Sequence, residues 1–302
     1  MVPLVCQALH FEQRRGAFSI GSHVRDAAAY VCWSFARAYQ PAAILDSFQV
    51  LAPALLCTGC YDREVTCRRA AAAAFQESVG RLGAQNFPEG MDIIASADYF
   101  SLGSRRQSFL AVAPSIARLP QYHVPLFEHV CNVKVCSWDI RVRELAAEGL
   151  RALVPLNPEF AADHIYSVLV PNCNSAESME VQHGSILAVA AMLPELSSSG
   201  FLVDEQQTGA VVATAIRVGQ GKGPQRVGKN ADVISITICN LIATISSLNY
   251  SLDTDQVCQT ASFRNRDASA ASLRGARAPW LHQYAAACLS AKLARVLVCA
   301  YN

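Results

Sequence analysis

Charged residues are scarce in this sequence. Only 16% of its 302 residues are Asp, Glu, Lys or Arg, whereas 52% are hydrophobic, which excludes a disordered chain. The 25 basic and 24 acidic residues leave a formal net charge of +1, so no bulk electrostatic attraction favours nucleic acid or an anionic membrane as a partner. Only four of the basic residues are lysines, and a GC-rich genome explains this bias better than a need for forked recognition of carboxylates.

Long uninterrupted apolar runs are also missing. Polar residues follow from Gln7 onward in the first 20 residues, so no secretory leader is predicted. The longest apolar stretch, 231–248, contains Asp232, Asn240 and several Ser and Thr residues, which argues against a membrane span. The twelve cysteines are too dilute for a secreted disulfide scaffold, and most lie in apolar runs. We therefore interpret them as reduced core residues of a cytoplasmic protein.

Familiar catalytic and metal-binding patterns are absent. The sequence has no HExxH and no GxSxG motif. Cys57 and Cys60 form a lone CxxC pair, while Cys131 and Cys136 are too far apart for a zinc knuckle despite the nearby His129. We predict no catalytic residue, no cofactor and no metal site.

One glycine-rich segment imitates a phosphate-binding loop. Gly223, Gly228 and Lys229 have the spacing of a P-loop and follow an apolar run. Asn230, however, stands where the magnesium-binding Ser or Thr should be, and no strand ending in Asp follows. A loop that joins two helices is the preferred interpretation.

A short pattern containing a basic residue and small apolar residues recurs along the chain. Its anchor positions are Arg25, Arg68, Arg106, Arg143 and His183, at intervals of 43, 38, 37 and 40 residues. Periods near 40 with two helices per unit are typical of HEAT and armadillo arrays. The pattern predicts an all-α protein, a HEAT/armadillo-type α-solenoid in which neighbouring repeats stack into a superhelix.

Helix boundaries follow from apolar stripes and from proline and glycine positions. Asp62 and Asp139 are predicted as N-caps of the helices that follow them. In 233–248, Ile234, Ile236 and Ile238 alternate as in a strand, but the spacing of the apolar residues over the whole segment favours a helix. The predicted helices are 24–39, 65–79, 141–154, 181–193 and 233–248, with partner segments at 42–56, 125–135 and 158–169.

Five stretches closely resemble the central region of the tubulin-folding cofactor D family, which are HEAT/armadillo-type chaperones. They are Gly16–Tyr39, Asp62–Gly80, Phe87–Ile94 with Ala97–Phe100, Trp138 with Arg143–Ala147, and His183–Ala188. The resemblance is ordered over residues 9–196, becomes faint across 204–260, and ends after about Ser262. The combination of FPEGMDI with ADYF is not shared by generic HEAT proteins.

The resemblance implies a non-catalytic chaperone in the post-chaperonin folding and assembly of the α/β-tubulin dimer. It implies β-tubulin, the C-type and E-type folding cofactors and an Arf-like small GTPase as partners. Stimulation of GTP hydrolysis by tubulin would belong to the assembled complex, in the cytoplasm and at the cytoskeleton, including the centrosome or basal body. The repeat period alone leaves open a generic HEAT adaptor, such as a transport receptor or a phosphatase scaffold.

Family members are several times longer than 302 residues, so a fragment of the repeat region is expected. We expect a truncated leading segment at 1–20 and helical repeats over 21–250. An Ala/Ser/Arg-rich linker is expected at 251–278, followed by a terminal helix at 279–302.

Conspicuous arginines and aspartates invite two interpretations. Residues of this kind commonly bridge adjacent repeats in HEAT-like arrays, and this structural role is preferred for Arg25, Asp62, Arg68, Asp139 and Arg143. Arg105 and Arg106 are the better candidates for contact with a partner, because stacking of the repeats does not obviously need them.

The glycine-rich segment provides the first test. We expect 219–230 to bind no nucleotide because the Ser or Thr ligand to magnesium is missing. Equilibrium dialysis of the chain against labelled GTP with magnesium measures this directly. Stoichiometric binding at micromolar concentration would contradict the prediction.

Overall fold

A computed structural model describes residues 1–174, 178–201, 211, 214 and 229–248. The chain divides into two compact units, Met1–Leu156 and Asn157–Asn302. Most of the glycine-rich segment, 219–228, and both expected C-terminal segments, 251–278 and 279–302, lie outside the described residues.

The first unit is helical apart from one β-hairpin. Strands β1 (Gln13–Arg15) and β2 (Phe18–Ile20) pair antiparallel, with Arg14 opposite Ser19. The helices are α1 (Val2–Leu9), α2 (Ser22–Ala38), α3 (Pro41–Tyr61), α4 (Val65–Leu82), α5 (Gly90–Ser96), α6 (Arg105–Gln107), α7 (Ala113–Ala117), α8 (Pro120–His129) and α9 (Ile140–Leu153). Short 3-10 turns occupy Ser101–Gly103 and Val154–Leu156, and π-helical segments occupy Ser108–Val112 and Val130–Lys134.

Helix α3 forms the centre of the first unit. It packs against α4 and α8, and α4 packs in turn along α2. Its buried side chains include Phe48, Leu51, Leu55 and Tyr61. Among the described residues this one helix is long and apolar enough to cross a membrane, but more than half of that stretch is buried inside the protein, as in a core helix. Helix α1 packs on both α2 and α3.

The second unit contains α10 (Pro158–His164), a π-helical segment (Ile165–Leu169), α11 (Val170–Cys173), α12 (Met179–Ser198) and α13 (Lys229–Ser247). Helix α12 packs on α11 and α13. In α13, Ile234, Ile238 and Leu241 are buried whereas Ile236 is exposed. This burial follows the helical stripe, so the prediction of a helix in place of a strand is confirmed.

Several boundary predictions are wrong. Helix α3 runs to Tyr61 and not to 56, and α8 begins at Pro120 and not at 125. Helix α12 does not end before Pro194 but continues to Ser198, and it buries Leu196 in that last turn. Asp62 is not the N-cap of α4, because that position is Glu64; the Asp62 carboxylate accepts from the backbone N–H of Glu64 at 2.8 Å and from Arg25. The N-cap prediction for Asp139 is confirmed, since its carboxylate accepts a bond from the backbone N–H of Arg141 at 2.9 Å.

Candidate functional site at the loop edge

Four loops of the first unit precede α2, α4, α6 and α9. Their residues are 10–21, 62–64, 97–104 and 135–139. Side chains at the helix starts and in the loops bond one loop to another, so the four form one continuous surface, which we call the loop edge. Three of the anchor arginines predicted from the repeat period lie here.

Arg68 joins two of these loops. Its guanidinium is buried and donates to four backbone carbonyl oxygens, each at 2.9–3.1 Å. Two of them, of Asp62 and Arg63, belong to the loop directly before α4. The others, of Leu102 and Gly103, belong to the loop before α6. Burial lowers the pKa of Arg68, yet the forked donors match carbonyl groups that would otherwise be buried unpaired.

Arg143 in α9 makes the same kind of contact with the loop that precedes its own helix. It donates to the carbonyl oxygens of Ser137 and Trp138 at 2.7 and 3.1 Å. These acceptors lie six and five residues before Arg143, the same offsets that separate Asp62 and Arg63 from Arg68. The two arginines therefore occupy equivalent positions in α4 and α9, each being the fourth residue of its helix.

Arg25 binds the neighbouring loop through the carboxylate of Asp62. Its Nε and Nη2 donate to the two carboxylate oxygens of Asp62 at 2.5 and 3.1 Å, and both side chains are buried. Its Nη1 donates to the carbonyl oxygen of Phe11 at 2.8 Å. The paired geometry supplies the contacts that a buried ion pair needs to offset desolvation.

Asp139 and Trp138 connect the last loop to the first two. The Asp139 carboxylate lies 3.8 Å from Arg63 and 3.9 Å from Arg105. The Arg63 guanidinium stacks 4.7 Å from the Trp138 ring centroid, and the indole N–H donates to Glu12 at 3.0 Å. Burial alone would raise the pKa of Glu12, but the hydrogen bonds from Ser19 and Trp138 reverse this and lower the pKa.

The two predicted contact arginines are accessible, Arg105 at the loop edge and Arg106 beside the middle of α9. The Arg105 side chain is 35% exposed beside Asp139, and that of Arg106 is 68% exposed and pairs with Glu148 at 2.8 Å. Exposed pairs of this kind contribute little to stability, so both guanidinium groups are available to exchange partners.

Tyr99 and Phe100 form an aromatic knob at the loop edge. Their side chains are 61% and 83% exposed, and their rings meet edge to face with centroids 5.6 Å apart. The Arg69 guanidinium lies 3.5 Å from the Tyr99 ring centroid, and its Nε donates to the Tyr99 carbonyl oxygen. The loop therefore exposes apolar ring surface to solvent, and the Arg69 guanidinium packs against the Tyr99 ring.

Hydrogen bonds fix the backbone below this knob. The Asp98 carboxylate accepts from the backbone N–H groups of Phe100 and Ser101 at 2.7 and 2.8 Å. These two bonds, led by that from Ser101, lower the pKa of Asp98. The Ser101 hydroxyl donates to the Ser96 carbonyl oxygen at 2.9 Å. Together with Arg68, these contacts order the loop in advance of any partner.

The sequence did not single out the aromatic knob as a surface. Its signal was two adjacent aromatic residues that follow Ala97 and Asp98 and fit no helical stripe. Because no neighbouring apolar residue continues a buried stripe with these two rings, the sequence could have indicated that both rings are exposed.

Of the four cysteines in the two pairs, half-buried Cys136 lies in the loop 135–139 and the other three lie away from the loop edge. Cys57 and Cys60 are buried in α3, and Cys131 is buried in the π-helical segment after α8. Burial raises the pKa of Cys57 and of Cys131 to about 12. Across the described ranges, no group of three or more His, Cys, Asp or Glu residues is arranged to hold a metal ion.

Comparison with known proteins connects this architecture to one family. Residues 1–91 match the family model "Tubulin-specific chaperone D-like, ARM repeats". Tubulin-specific chaperone D of Dictyostelium discoideum is 33% identical over 256 residues, which are 84% of this chain. Tubulin-folding cofactor D of Schizosaccharomyces pombe is 32% identical over 153 residues, or 51% of the chain. The helical repeats of this chain belong to the tubulin-specific chaperone D family.

Membership of the tubulin-specific chaperone D family confirms the predicted all-α architecture of armadillo type. The matched residues 1–91 contain α1 to α4 and therefore Arg25, Asp62 and Arg68. The two aligned regions cover 17% and 14% of the relatives' own lengths. No solved structure matches the chain.

The four carbonyl bonds of Arg68 lead to a stability prediction. We expect Arg68→Met to lower the free energy of unfolding by about 3 kcal/mol or more, because it leaves carbonyl groups of two loops without donors. Urea-induced unfolding followed by circular dichroism measures the change. The control is Arg141→Met in α9, whose side chain is 83% exposed, and we expect it to stay within about 0.5 kcal/mol of the parent chain. Equal effects of the two substitutions would contradict the role of Arg68.

Proposed function

We propose that this chain forms part of the client-binding surface of a tubulin chaperone and contacts β-tubulin. The observation that carries the proposal is its similarity to two relatives named for tubulin-specific chaperoning and tubulin folding, one of them aligned over 84% of the chain. The chain works without catalysis of its own in this proposal. Stimulation of tubulin GTP hydrolysis belongs to a cytoplasmic assembly with C-type and E-type cofactors and an Arf-like small GTPase.

The loop edge is the surface we assign to the client. A chaperone must expose apolar groups to a partially assembled subunit without collapsing onto them itself. Tyr99 and Phe100 meet that requirement because the backbone beneath them is fixed by Asp98 and Arg68 while their rings face solvent. Aromatic side chains on preordered loops are the usual centres of binding energy in protein interfaces.

Arg69 contacts the aromatic knob, and two accessible arginines follow the knob in the chain, at the start of α6. Arg105 lies near Asp139 and Arg106 pairs with Glu148, so their charges are largely balanced before a partner arrives. The near-neutral net charge of the chain likewise argues against a strong long-range attraction to a charged partner. Shape and apolar contact then supply most of the affinity, and the arginines supply local pairing at the rim.

The aromatic knob can be tested by substitution. We expect the double variant Tyr99→Ser with Phe100→Ser to weaken capture of β-tubulin about tenfold or more, because it removes the exposed rings but not the loop hydrogen bonds. The measurement is binding of β-tubulin, translated in vitro, to the immobilised 302-residue chain. Tyr30→Ser in α2, an aromatic residue that is 64% exposed, is the matched control and should leave capture unchanged.

Two outcomes separate the parts of the proposal. Full capture by the double variant would reject the aromatic knob as the contact while leaving the chain a tubulin binder. Absence of capture by the unaltered chain would reject binding of β-tubulin by this segment altogether.

Salt dependence provides an independent check. We expect the Kd for β-tubulin to rise less than about threefold between low and physiological ionic strength, since paired rim charges contribute little long-range attraction. A titration of capture against sodium chloride measures this. A steep loss of affinity would contradict an interface based on apolar contact.

A further inference from the structure

Two histidines meet inside the first unit where α1, α3 and α8 come together. His10 follows α1 and His129 ends α8, and their ring centroids lie 4.6 Å apart. The Tyr61 ring of α3 stacks nearly parallel to His129 with centroids 5.9 Å apart. Phe109 contacts the same Tyr61 ring edge to face, which closes the site with aromatic surface.

This site is poor in hydrogen-bond partners. His129 Nε2 and the Tyr61 hydroxyl are both buried and have no hydrogen-bond partner among the described residues. His10 Nε2 lies 3.3 Å from the carbonyl oxygen of Ala54. Because a carbonyl oxygen only accepts, the neutral His10 ring carries its proton on Nε2. The bond to Ala54 serves a protonated His10 as well as a neutral one and by itself raises the pKa of His10, so the lowering comes from burial and Lys134. A charged His129 finds no acceptor for its Nε2 among the described residues.

The charged groups around the pair are mixed, and the one that acts most strongly on both rings is a cation. Lys134, at the end of the π-helical segment after α8, disfavours a positive charge on either histidine. Burial is nevertheless the main cause that lowers the pKa of His129 well below its ordinary value, ahead of Lys134 and His10. The other titratable or charged groups near the site are Glu12 before the hairpin, Arg25 on α2, Asp62 after α3, and Cys57, Cys60 and Tyr61 on α3.

We propose that the His10–His129 pair is a proton-sensitive latch, which holds the end of α1 against α3 while both rings are neutral and releases it when a ring is protonated. The attachment that would be lost is short. It consists of the His10 bond to Ala54, the bond from the Thr58 hydroxyl to the Leu9 carbonyl oxygen at 3.3 Å, and the burial of the Leu9 side chain. A proton on either ring places a cation beside the other ring and near Lys134, and release of α1 returns His10 to water.

The direction of the pH dependence follows from the lowered pKa values. Below the ordinary histidine pKa of 6.5, the released state binds protons that the packed state does not. The latch is therefore fully stable above about pH 6.5 and weakens as the pH falls toward the lowered pKa values. Glu12 does not oppose this change, because its own pKa is lowered and it stays ionised throughout.

Hydrogen exchange of the full 302-residue chain tests the latch. Backbone protection of α1 is measured at pH 7.5, 6.5 and 5.5, after correction for the intrinsic pH dependence of exchange, with α4 as the internal reference. We expect protection in α1 to fall between pH 6.5 and 5.5 by up to about tenfold for each histidine that gains a proton, while α4 is unchanged.

Substitutions distinguish the latch from general acid sensitivity. His129→Phe keeps a ring against Tyr61 but cannot be protonated, and His10→Gln removes the other titrating ring. Either should reduce the pH dependence in α1 to at most the change of about tenfold that the remaining histidine supplies. His23→Asn is the control, because His23 is exposed in α2, and it should behave like the parent chain. If His129→Phe fails to fold, His10→Gln alone decides. An unchanged pH dependence in His10→Gln, or equal loss of protection in α1 and α4 of the parent chain, would overturn the proposal.

Discussion

The buried guanidinium of Arg68 is the contact on which the rest of the loop edge depends. A loop between helices carries carbonyl groups that no helix satisfies, and packing one repeat on the next buries them. Arg68 solves this for two loops with one side chain, because its fork reaches the carbonyls of Asp62 and Arg63 on one side and of Leu102 and Gly103 on the other. A lysine carries the same charge but lacks the planar, forked set of donors of a guanidinium. This geometry is a reason for arginine at the helix starts that does not depend on genomic composition.

Because hydrogen bonds fix the loop backbone on its buried side, the loops can expose apolar side chains on their solvent side. A flexible loop that carried Tyr99 and Phe100 would fold those rings onto the nearest apolar surface. Here Arg68 holds the carbonyls of Leu102 and Gly103, and Asp98 holds the turn that precedes them, so the rings stay in solvent. The same buried bonds thus stabilise the repeat stack and maintain a surface suited to a partner.

Sequence pattern predicted the helices but not their long-range connections. The spacing of Arg25, Arg68 and Arg143 located α2, α4 and α9 to within a few residues, because each anchor recurs at the same depth in its repeat. The cap assignment of Asp62 missed by two residues, because α4 begins only after Glu64. The Asp62 carboxylate binds the backbone N–H of Glu64 and also the distant guanidinium of Arg25, a pairing that no local pattern predicts. The bond between Trp138 and Glu12 joins residues 126 positions apart, and no local period encodes such a pairing.

The leading segment is held to the first unit by bonds of two different kinds. After His10, Phe11 accepts from Arg25 and Glu12 accepts from Trp138, and these bonds involve groups that stay charged or cannot titrate between pH 7.5 and 5.5. Before that point, the contact of α1 with α3 depends on the neutral histidine pair and on the burial of Leu9, while α1 also packs on α2. Acidification therefore weakens the contact of α1 with α3 but not the bonds that Phe11 and Glu12 accept. The end of α1 would lose its hold on α3 while the hairpin and the loop edge keep their places, which separates the proton-sensitive element from the surface assigned to the client.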